Sequence, residues 1–121
     1  TLFALIILLI VNIYSEKFKK YEVVDTNGAV TLMDDDLIIL DVREEKERSA
    51  GFIDSDLNIP MGQVKSKLDS LDKSKKILVY CKSGTRSDRT ADLLCKNEFQ
   101  NVYSLKGGFN AWQKAELPIK K

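Results

Sequence analysis

The segment with the strongest chemical signature is a short loop that begins at Cys81. Cys81 follows the apolar run ILVY and precedes a stretch with helical periodicity, so backbone N–H groups of the loop can turn inward around its sulfur. These amides, the positive end of the following helix and the neighbouring cations all favour thiolate over thiol. The sequence therefore predicts a nucleophilic Cys81 in an anion-binding loop, whose other members are Lys82, Ser83, Gly84, Thr85, Arg86 and Ser87.

Each type of residue in this loop has a separate expected role. Gly84 gives the backbone the freedom that a tight turn requires. Thr85 or Ser87 supplies a hydroxyl donor to the sulfur. Lys82 and Arg86 attract anionic substrates.

The composition limits what this cysteine can do. The 121 residues include two cysteines and no histidine, which excludes Cys-His and Ser-His catalytic pairs and histidine-ligated metals. Two cysteines are also too few for a structural zinc site or a disulfide-rich scaffold, so we expect no metal and no cofactor. A net charge of +1 gives no reason to expect a nucleic-acid partner.

The second cysteine is expected to be structural. Ala91, Leu94 and Cys95 follow one another at helical spacing and form one apolar face. Cys95 therefore fits a packed core thiol better than a resolving cysteine for Cys81.

The elements that must position the loop alternate between short apolar runs and helical stretches, which indicates an α/β fold with a mostly parallel sheet. The predicted strands are Tyr21–Val24, Leu37–Leu40, Ile77–Tyr80 and Val102–Leu105. The predicted helices are Glu44–Ala50, Gln63–Leu71, Ser87–Asn97 and Gly108–Ala115. Ligands of such sheets bind beyond the carboxyl ends of the strands, where Asp41–Glu44, Cys81–Ser87 and Lys106–Phe109 follow three of these runs.

The first fifteen residues differ from the rest of the chain. Thr1–Ser15 carries no charge, and Leu2–Val11 is an unbroken apolar run. As a helix, fifteen residues span about 22 Å, short of the ~30 Å hydrocarbon core of a bilayer. Residues 1–15 therefore fit a signal peptide or membrane anchor that is truncated at its start, which predicts an exported, periplasmic or membrane-anchored protein. A buried or oligomer-forming helix of a cytoplasmic protein is the alternative, and Lys17, Lys19 and Lys20 would leave the domain of an uncleaved anchor in the cytoplasm.

Three segments, in order along the chain, resemble the rhodanese-homology domain of the single-domain sulfurtransferase type. They are LDVREEKERSAGFIDSDLNIP (Leu40–Pro60), VYCKSGTRS (Val79–Ser87) and NVYSLKGGFNAW (Asn101–Trp112). The resemblance covers nearly all of Tyr21–Pro118, so we expect one domain over residues 20–118. It implies a three-layer α/β fold in which a central, mostly parallel sheet of about five strands is flanked by helices. In this family the residue at the position of Cys81 becomes a persulfide.

The resemblance also assigns supporting positions around the loop. It places Asp41 and Arg43 beside the loop, where their charges can pair and brace it; the alternative is a surface ion pair of little energetic value. Glu44–Arg48 is expected to form an exposed helix face of mixed charge. Gly107–Gly108 is expected to turn the chain into the last helix, and a contact from this turn to the Cys81 loop is compatible with the sequence.

Two residues depart from the family pattern. Phe52 stands where the family usually has histidine, and Glu98 stands where glycine often follows the active-site helix. Phe52 lies outside the sulfur loop, so this departure concerns packing more than activity.

The residues and the resemblance together predict a sulfurtransferase. The Cys81 thiolate would take the outer sulfur of thiosulfate or a persulfide donor and pass it to cyanide, a thiol or a protein. Neither step requires a histidine.

Alternatives in the same fold are a sulfur-carrying module without turnover, a redox module that uses Cys95, and a phosphatase or arsenate reductase. The last is disfavoured because four residues separate Cys81 from Arg86, whereas the phosphatase signature has five. Association as a homodimer is compatible with the sequence.

Overall fold

The computed structural model describes residues 1–17 and 20–121, and Lys19 lies outside the described residues. Helix α1 (Leu2–Lys17) leaves the large apolar side chains between Leu2 and Ile13 exposed. No helix within the described ranges combines the length and apolar character needed to cross a bilayer.

The rest of the described chain is built on one parallel sheet of five strands. They are β1 (Glu22–Val24), β2 (Ile38–Asp41), β3 (Leu57–Asn58), β4 (Ile77–Tyr80) and β5 (Val102–Leu105), in the order β1-β5-β4-β2-β3. Strand β4 is central, with Val79 in register with Leu40 on one side and with Ser104 on the other. The carboxyl end of β4 therefore lies between the carboxyl ends of β2 and β5.

Helices cover both faces of this sheet. They are α2 (Thr26–Leu32), α3 (Met61–Val64), α4 (Thr85–Lys96) and α5 (Gly108–Lys114), with 3₁₀ helices at Glu45–Ala50 and Lys65–Ser70. The predicted three-layer α/β architecture is confirmed.

The two faces of the sheet are apolar because side chains alternate along each strand. On β4, Val79 packs in the cluster that includes Leu94 of α4, whereas Leu78 packs in the cluster that includes Phe109 and Trp112 of α5. A strand that is apolar at every position is the expected sign of a sheet buried on both sides.

Two elements are missing from the sequence-based prediction. Strand β3 has only two residues, and helix α2 has the sequence TNGAVTL, which contains glycine and no continuous apolar stripe. The Asp25 carboxylate, which accepts a hydrogen bond from the Gly28 N–H, is the local signal that marks the start of α2.

Two of the predicted helices differ in form. The single helix expected over Gln63–Leu71 is wrong, because α3 passes into a 3₁₀ helix that is kinked at Lys67 (φ −116°). The helix expected at Glu44–Ala50 is a 3₁₀ helix that begins at Glu45. Short elements of this kind give too few residues for a periodic pattern to distinguish them.

The structure shows the local conformation or contacts of the two residues that depart from the family pattern. Glu98 adopts φ +72°, a left-handed conformation that glycine takes at the lowest steric cost and that often ends a helix. Phe52 is partly buried, and the Arg48 guanidinium lies 4.2 Å from the centre of its ring. Phe52, which stands where the family usually has histidine, therefore forms a cation–π contact with Arg48.

A buried charge network lies at the carboxyl end of β2. Asp41 is 0% exposed and Arg43 is 2% exposed, and the two side chains are joined by three hydrogen bonds of 2.8 to 3.1 Å. Arg48 bonds both Asp41 and Asp56 at 2.7 Å. The alternative of a surface ion pair is therefore wrong for Asp41 and Arg43.

Replacing Asp41 should destabilise the fold strongly. Asp41→Asn leaves the buried Arg43 guanidinium without its counter-charge, so we expect a loss of about 3 kcal/mol in the free energy of unfolding, measured by urea denaturation. Asp92→Asn is the matched control, because Asp92 forms an exposed i,i+4 pair with Lys96. Equal stability of the two variants would show that the buried network contributes little.

Candidate active site

Cys81 lies directly after the central strand β4 and is 1% exposed. Its Sγ accepts hydrogen bonds from the backbone N–H groups of Gly84 at 3.1 Å and Ser87 at 3.4 Å. The Ser87 hydroxyl oxygen lies 3.6 Å from the sulfur. The loop therefore surrounds the sulfur with donors, as the sequence predicts, and Ser87 rather than Thr85 supplies the hydroxyl.

The loop takes this shape because its residues satisfy two local requirements. Gly84 adopts φ +112°, a conformation that L side chains rarely accept, and it directly precedes α4. Ser87 lies in the first turn of α4, where backbone N–H groups have no partner within the helix. The unpaired N–H groups and the positive end of the helix therefore point toward the sulfur.

These donors set the ionisation of Cys81. Burial alone would raise the pKa of the thiol, but hydrogen bonds from Ser87, Gly84 and Ser83 outweigh it and lower the pKa. Cys95 lacks this compensation, and burial together with Asp92 raises its pKa. The pKa values of the two cysteines are thus shifted in opposite directions.

A second turn presses against the loop from the start of α5. The Phe109 N–H donates to the Cys81 carbonyl at 2.8 Å, and the Asn110 N–H donates to the Lys82 carbonyl at 3.0 Å. A Cβ atom at Gly108 would lie 2.5 Å from the Cys81 carbonyl oxygen, so this approach requires glycine. The contact between the Gly107–Gly108 turn and the loop, which the sequence left open, is present.

Arg43 packs against the ring of Phe109, the residue whose backbone N–H bonds the Cys81 loop. Its guanidinium lies 4.5 Å from the centre of the Phe109 ring and 5.3 Å from that of Tyr80, and it donates to the Gly51 carbonyl at 2.9 Å. Asp41 fixes the guanidinium in this position. The pair is thus placed behind Phe109, whose backbone bonds the loop, and has no hydrogen bond with Sγ.

Arg86 is paired with a carboxylate. Its guanidinium makes two hydrogen bonds with Glu47, at 2.6 and 2.9 Å, and this contact lowers the pKa of Glu47 to about 2. The expectation that Glu44–Arg48 forms an exposed charged face is wrong for Glu47 and Arg48, which are both partly buried in ion pairs. Arg86 therefore has its positive charge balanced within the protein.

Three loop residues are exposed: Lys82, Ser83 and Thr85. Lys82 also lines a cavity of about 260 Å³ next to the loop, with Lys46, Glu47, Phe109, Asn110 and Gln113 among its other lining residues. Within residues 1–17 and 20–121, no three His, Cys, Asp or Glu side chains come together as metal ligands.

Sequence reasoning missed three side chains that the fold brings to this site. Glu47 belongs to the 3₁₀ helix after β2, and Ser104 and Asp88 complete a chain of hydrogen bonds that starts at Ser87. None of these contacts is local in the sequence, apart from the adjacency of Ser87 and Asp88, so periodicity and spacing gave no signal for them.

Fold and site define a class: an α/β protein whose central strand is followed directly by a cysteine, held within a loop of N–H donors. The family of Rhodanese-like domains matches residues 26–115, and the chain belongs to this family.

Individual relatives agree with this assignment. The chain is 39% identical over 74 residues to the uncharacterized protein YqhL of Bacillus subtilis, covering 61% of this chain and 59% of that protein, which is less than two thirds of its length. It is 36% identical over 78 residues to the thiosulfate sulfurtransferase GlpE of Coxiella burnetii, covering 64% of this chain and 73% of that protein. The crystal structure of a rhodanese-related protein from Thermoplasma volcanium has a TM-score of 0.77 at 26% identity, covering 83% of this chain and 98% of that one.

The opposite pKa shifts predict selective alkylation. Since the pKa of Cys81 is lowered and that of Cys95 is raised, iodoacetamide at pH 7.5 should modify Cys81 well before Cys95. The Cys81 rate should rise with pH and level off below about pH 8.5, the pKa of a free thiol. Peptide mass spectrometry after timed quenching measures both rates, and equal labelling of the two cysteines would contradict the assignment of Cys81 as the thiolate.

Proposed function

We propose that the protein is a sulfurtransferase that carries a sulfane sulfur as a persulfide on Cys81. The observation that carries this proposal is the set of N–H donors from Gly84 and Ser87 around a buried sulfur. The names of its relatives, among them a thiosulfate sulfurtransferase, support sulfurtransferase activity in general.

The first step loads the sulfur. The Cys81 thiolate attacks the outer sulfur of a donor such as thiosulfate, a new S–S bond forms, and the bond between that sulfur and the sulfite group breaks. Sulfite leaves with the electron pair, and the terminal sulfur on Cys81 carries the negative charge. Backbone N–H groups already oriented toward the sulfur stabilise this anion without reorganisation.

The second step unloads the sulfur. An acceptor nucleophile, such as a thiolate, cyanide or a cysteine of a partner protein, attacks the terminal sulfur, and the Cys81 thiolate is the leaving group. The cycle is a ping-pong reaction with a covalent intermediate. The same lowered pKa that makes Cys81 a nucleophile makes it a good leaving group.

Recognition of anionic donors is better assigned to lysines than to Arg86. Arg86 is already paired with Glu47, whereas Lys82 and Lys46 are exposed at the cavity beside the loop. An anionic donor or acceptor that enters this cavity meets both ammonium groups.

The phosphatase alternative is less well supported. Only four residues separate Cys81 from Arg86, and the next position is Ser87, whose N–H and hydroxyl group face the sulfur. A phosphoryl group has three equatorial oxygens to accommodate, whereas a persulfide adds one atom. In addition, the Arg86 guanidinium that would bind those oxygens is occupied by Glu47.

Replacing the nucleophile tests the function directly. Cys81→Ser should abolish both persulfide loading, seen as a mass increase of one sulfur atom, and thiocyanate production from thiosulfate and cyanide. Cys95→Ser is the control and should retain both, because Cys95 packs in the core beside Leu94. Loading without turnover in the unmodified protein would favour the sulfur-carrying module, and full activity of Cys81→Ser would refute the assignment.

We also propose that α1 attaches the domain to a membrane surface. The apolar side chains from Leu2 to Ile13 are exposed, and an exposed apolar surface of this kind is typical of sites that contact lipid or protein.

Vesicle flotation tests the membrane proposal. The full chain should float with phospholipid vesicles, and the double variant Ile6→Glu and Leu9→Glu should stay at the bottom of the gradient, because a carboxylate on the apolar surface of α1 opposes its transfer into lipid. Val30→Glu is a control at an exposed apolar residue outside α1. Equal flotation of all three proteins, or none, would contradict the role of α1.

A further inference from the structure

A continuous chain of polar groups leads from Cys81 to the surface. The sulfur lies 3.6 Å from the Ser87 hydroxyl, which lies 2.9 Å from the Ser104 hydroxyl, which lies 2.7 Å from a carboxylate oxygen of Asp88. The two serines are fully buried, whereas Asp88 is partly exposed. The chain therefore connects a buried thiol to a carboxylate that water can reach.

The fold builds this chain from two elements. Ser104 points from β5 toward the face of the sheet that α4 covers, and Ser87 and Asp88 lie in the first turn of α4. Ser104 is in register with Val79, two residues before Cys81 on β4. A hydroxyl buried on an otherwise apolar strand costs stability unless it is hydrogen-bonded, and here both of its partners lie on α4.

Few hydrogen-bond acceptors are available to the two serine hydroxyl groups. An ionised Asp88 only accepts, so Ser104 donates to it and can accept from Ser87. The Gly84 carbonyl, which accepts from the Asp88 N–H at 3.0 Å, has a second lone pair and is a competing acceptor for the Ser87 hydroxyl at the same distance. When Cys81 is a thiol, one hydrogen bond joins each pair of neighbours in the chain: the S–H donates to Ser87, Ser87 donates to Ser104, and Ser104 donates to Asp88.

Every pair of neighbours is also joined when all the hydrogen bonds of the chain run in the opposite direction. A protonated Asp88 donates to Ser104, Ser104 to Ser87, and Ser87 to the Cys81 thiolate. When the thiolate and the carboxylate are both charged, Ser87 donates to the sulfur and Ser104 donates to Asp88. Two hydroxyl oxygens then face each other at 2.9 Å with no proton between them, which is unfavourable.

We propose that Ser87, Ser104 and Asp88 form a proton relay that couples the protonation of Cys81 to that of Asp88 and carries the thiol proton to solvent. In one passage the S–H bond of Cys81 breaks as an O–H bond forms on Ser87. The Ser87 proton moves to Ser104, the Ser104 proton moves to Asp88, and Asp88 releases a proton to water. No electrons are transferred, and each serine ends with one proton.

In the proposed sulfur-transfer cycle, the relay removes protons that the reaction releases. This use of the relay rests on the proposed function, whereas the relay itself does not. A thiol on Cys81 that takes sulfur from thiosulfate gives a persulfide anion, sulfite and one proton. An acceptor that arrives as a neutral thiol likewise brings a proton that must leave. Ser104 and Asp88 act through Ser87 and are therefore positioning residues, because neither touches the sulfur.

Other charged groups surround the two ends of the relay. Arg86 interacts with Cys81 and is balanced by Glu47. At the other end, Tyr21, which precedes β1, faces Asp88 and Asp92. Arg86, Glu47 and Tyr21 are unchanged in the variants below.

A double-mutant cycle on the pH dependence of Cys81 alkylation tests the relay without any sulfur substrate. In Asp88→Asn, the amide group donates to Ser104 and completes the chain toward the thiolate at every pH. We expect the alkylation rate of Cys81 below its midpoint to rise about three- to tenfold, the effect of one hydrogen bond of ordinary net strength. In the Ser104→Ala background the link is broken, and the same Asp88→Asn change should raise the rate by less than half as much on a logarithmic scale.

The cycle separates the relay from simpler explanations. A persistent effect of Asp88→Asn in the Ser104→Ala background would show that Asp88 acts through space as a charge, and no effect in either background would show that it has only a structural role. Either result would overturn the proposal. Asp92→Asn is the control on the same helix and should leave the profile unchanged. Ser87→Ala breaks the chain one link earlier and replaces Ser104→Ala in the cycle if urea denaturation shows that the latter is unfolded.

Discussion

The structure depends on the stabilisation of negative charge on a sulfur atom that is almost fully buried. Burial opposes the thiolate, and no cationic side chain is hydrogen-bonded to Sγ among the described residues. The opposing contribution comes from backbone N–H groups, of which those of Gly84 and Ser87 lie 3.1 and 3.4 Å from the sulfur. Such dipoles are effective only if they are held in place, because a loop that relaxes loses their orientation. Much of the surrounding architecture can be understood as support for this loop.

That support comes from three sides. From the start of α5, the Phe109 and Asn110 N–H groups donate to the carbonyls of the loop, at a close approach that only glycine at position 108 allows. From β2, the buried Asp41–Arg43 pair fixes a guanidinium against the Phe109 ring. From the 3₁₀ helix after β2, Glu47 bonds Arg86 in the first turn of α4. The charged residues that resemble a substrate-binding set in the sequence are thus largely paired with one another, which leaves the exposed lysines to meet solutes.

The parts of this arrangement that could be predicted from sequence are those that local pattern determines. The apolar runs of β2, β4 and β5 and the glycine, hydroxyl and cationic residues after Cys81 are each visible within a few positions, so the fold class and the loop could be predicted. Pairings between distant residues could not: Glu47 and Arg86 are 39 positions apart, and charge alone gave Glu47 an exposed role. Ser104 interrupts the apolar pattern of β5, but its partners on α4 depend on the packing of helix against sheet. Helix α2 was missed because its stability comes from the Asp25 cap and the burial of Ala29 rather than from an apolar stripe.

The lack of histidine gives the proton chemistry of this site its particular form. In the proposed cycle, the attack of the thiolate on a sulfane sulfur needs no base, but a cycle that starts from a thiol or uses a neutral acceptor releases a proton beside a buried anion. A histidine could take that proton directly, with a pKa near neutrality. Here the groups near the sulfur are hydroxyls, which pass protons on without holding them, and the first group able to hold one is the Asp88 carboxylate, two hydroxyls away. Separation of the proton-holding group from the sulfur keeps a second negative charge away from the proposed persulfide, which a carboxylate in direct contact would destabilise. The proposed relay thus reconciles two requirements that conflict at short range: a route for the proton and an environment that favours the sulfur anion.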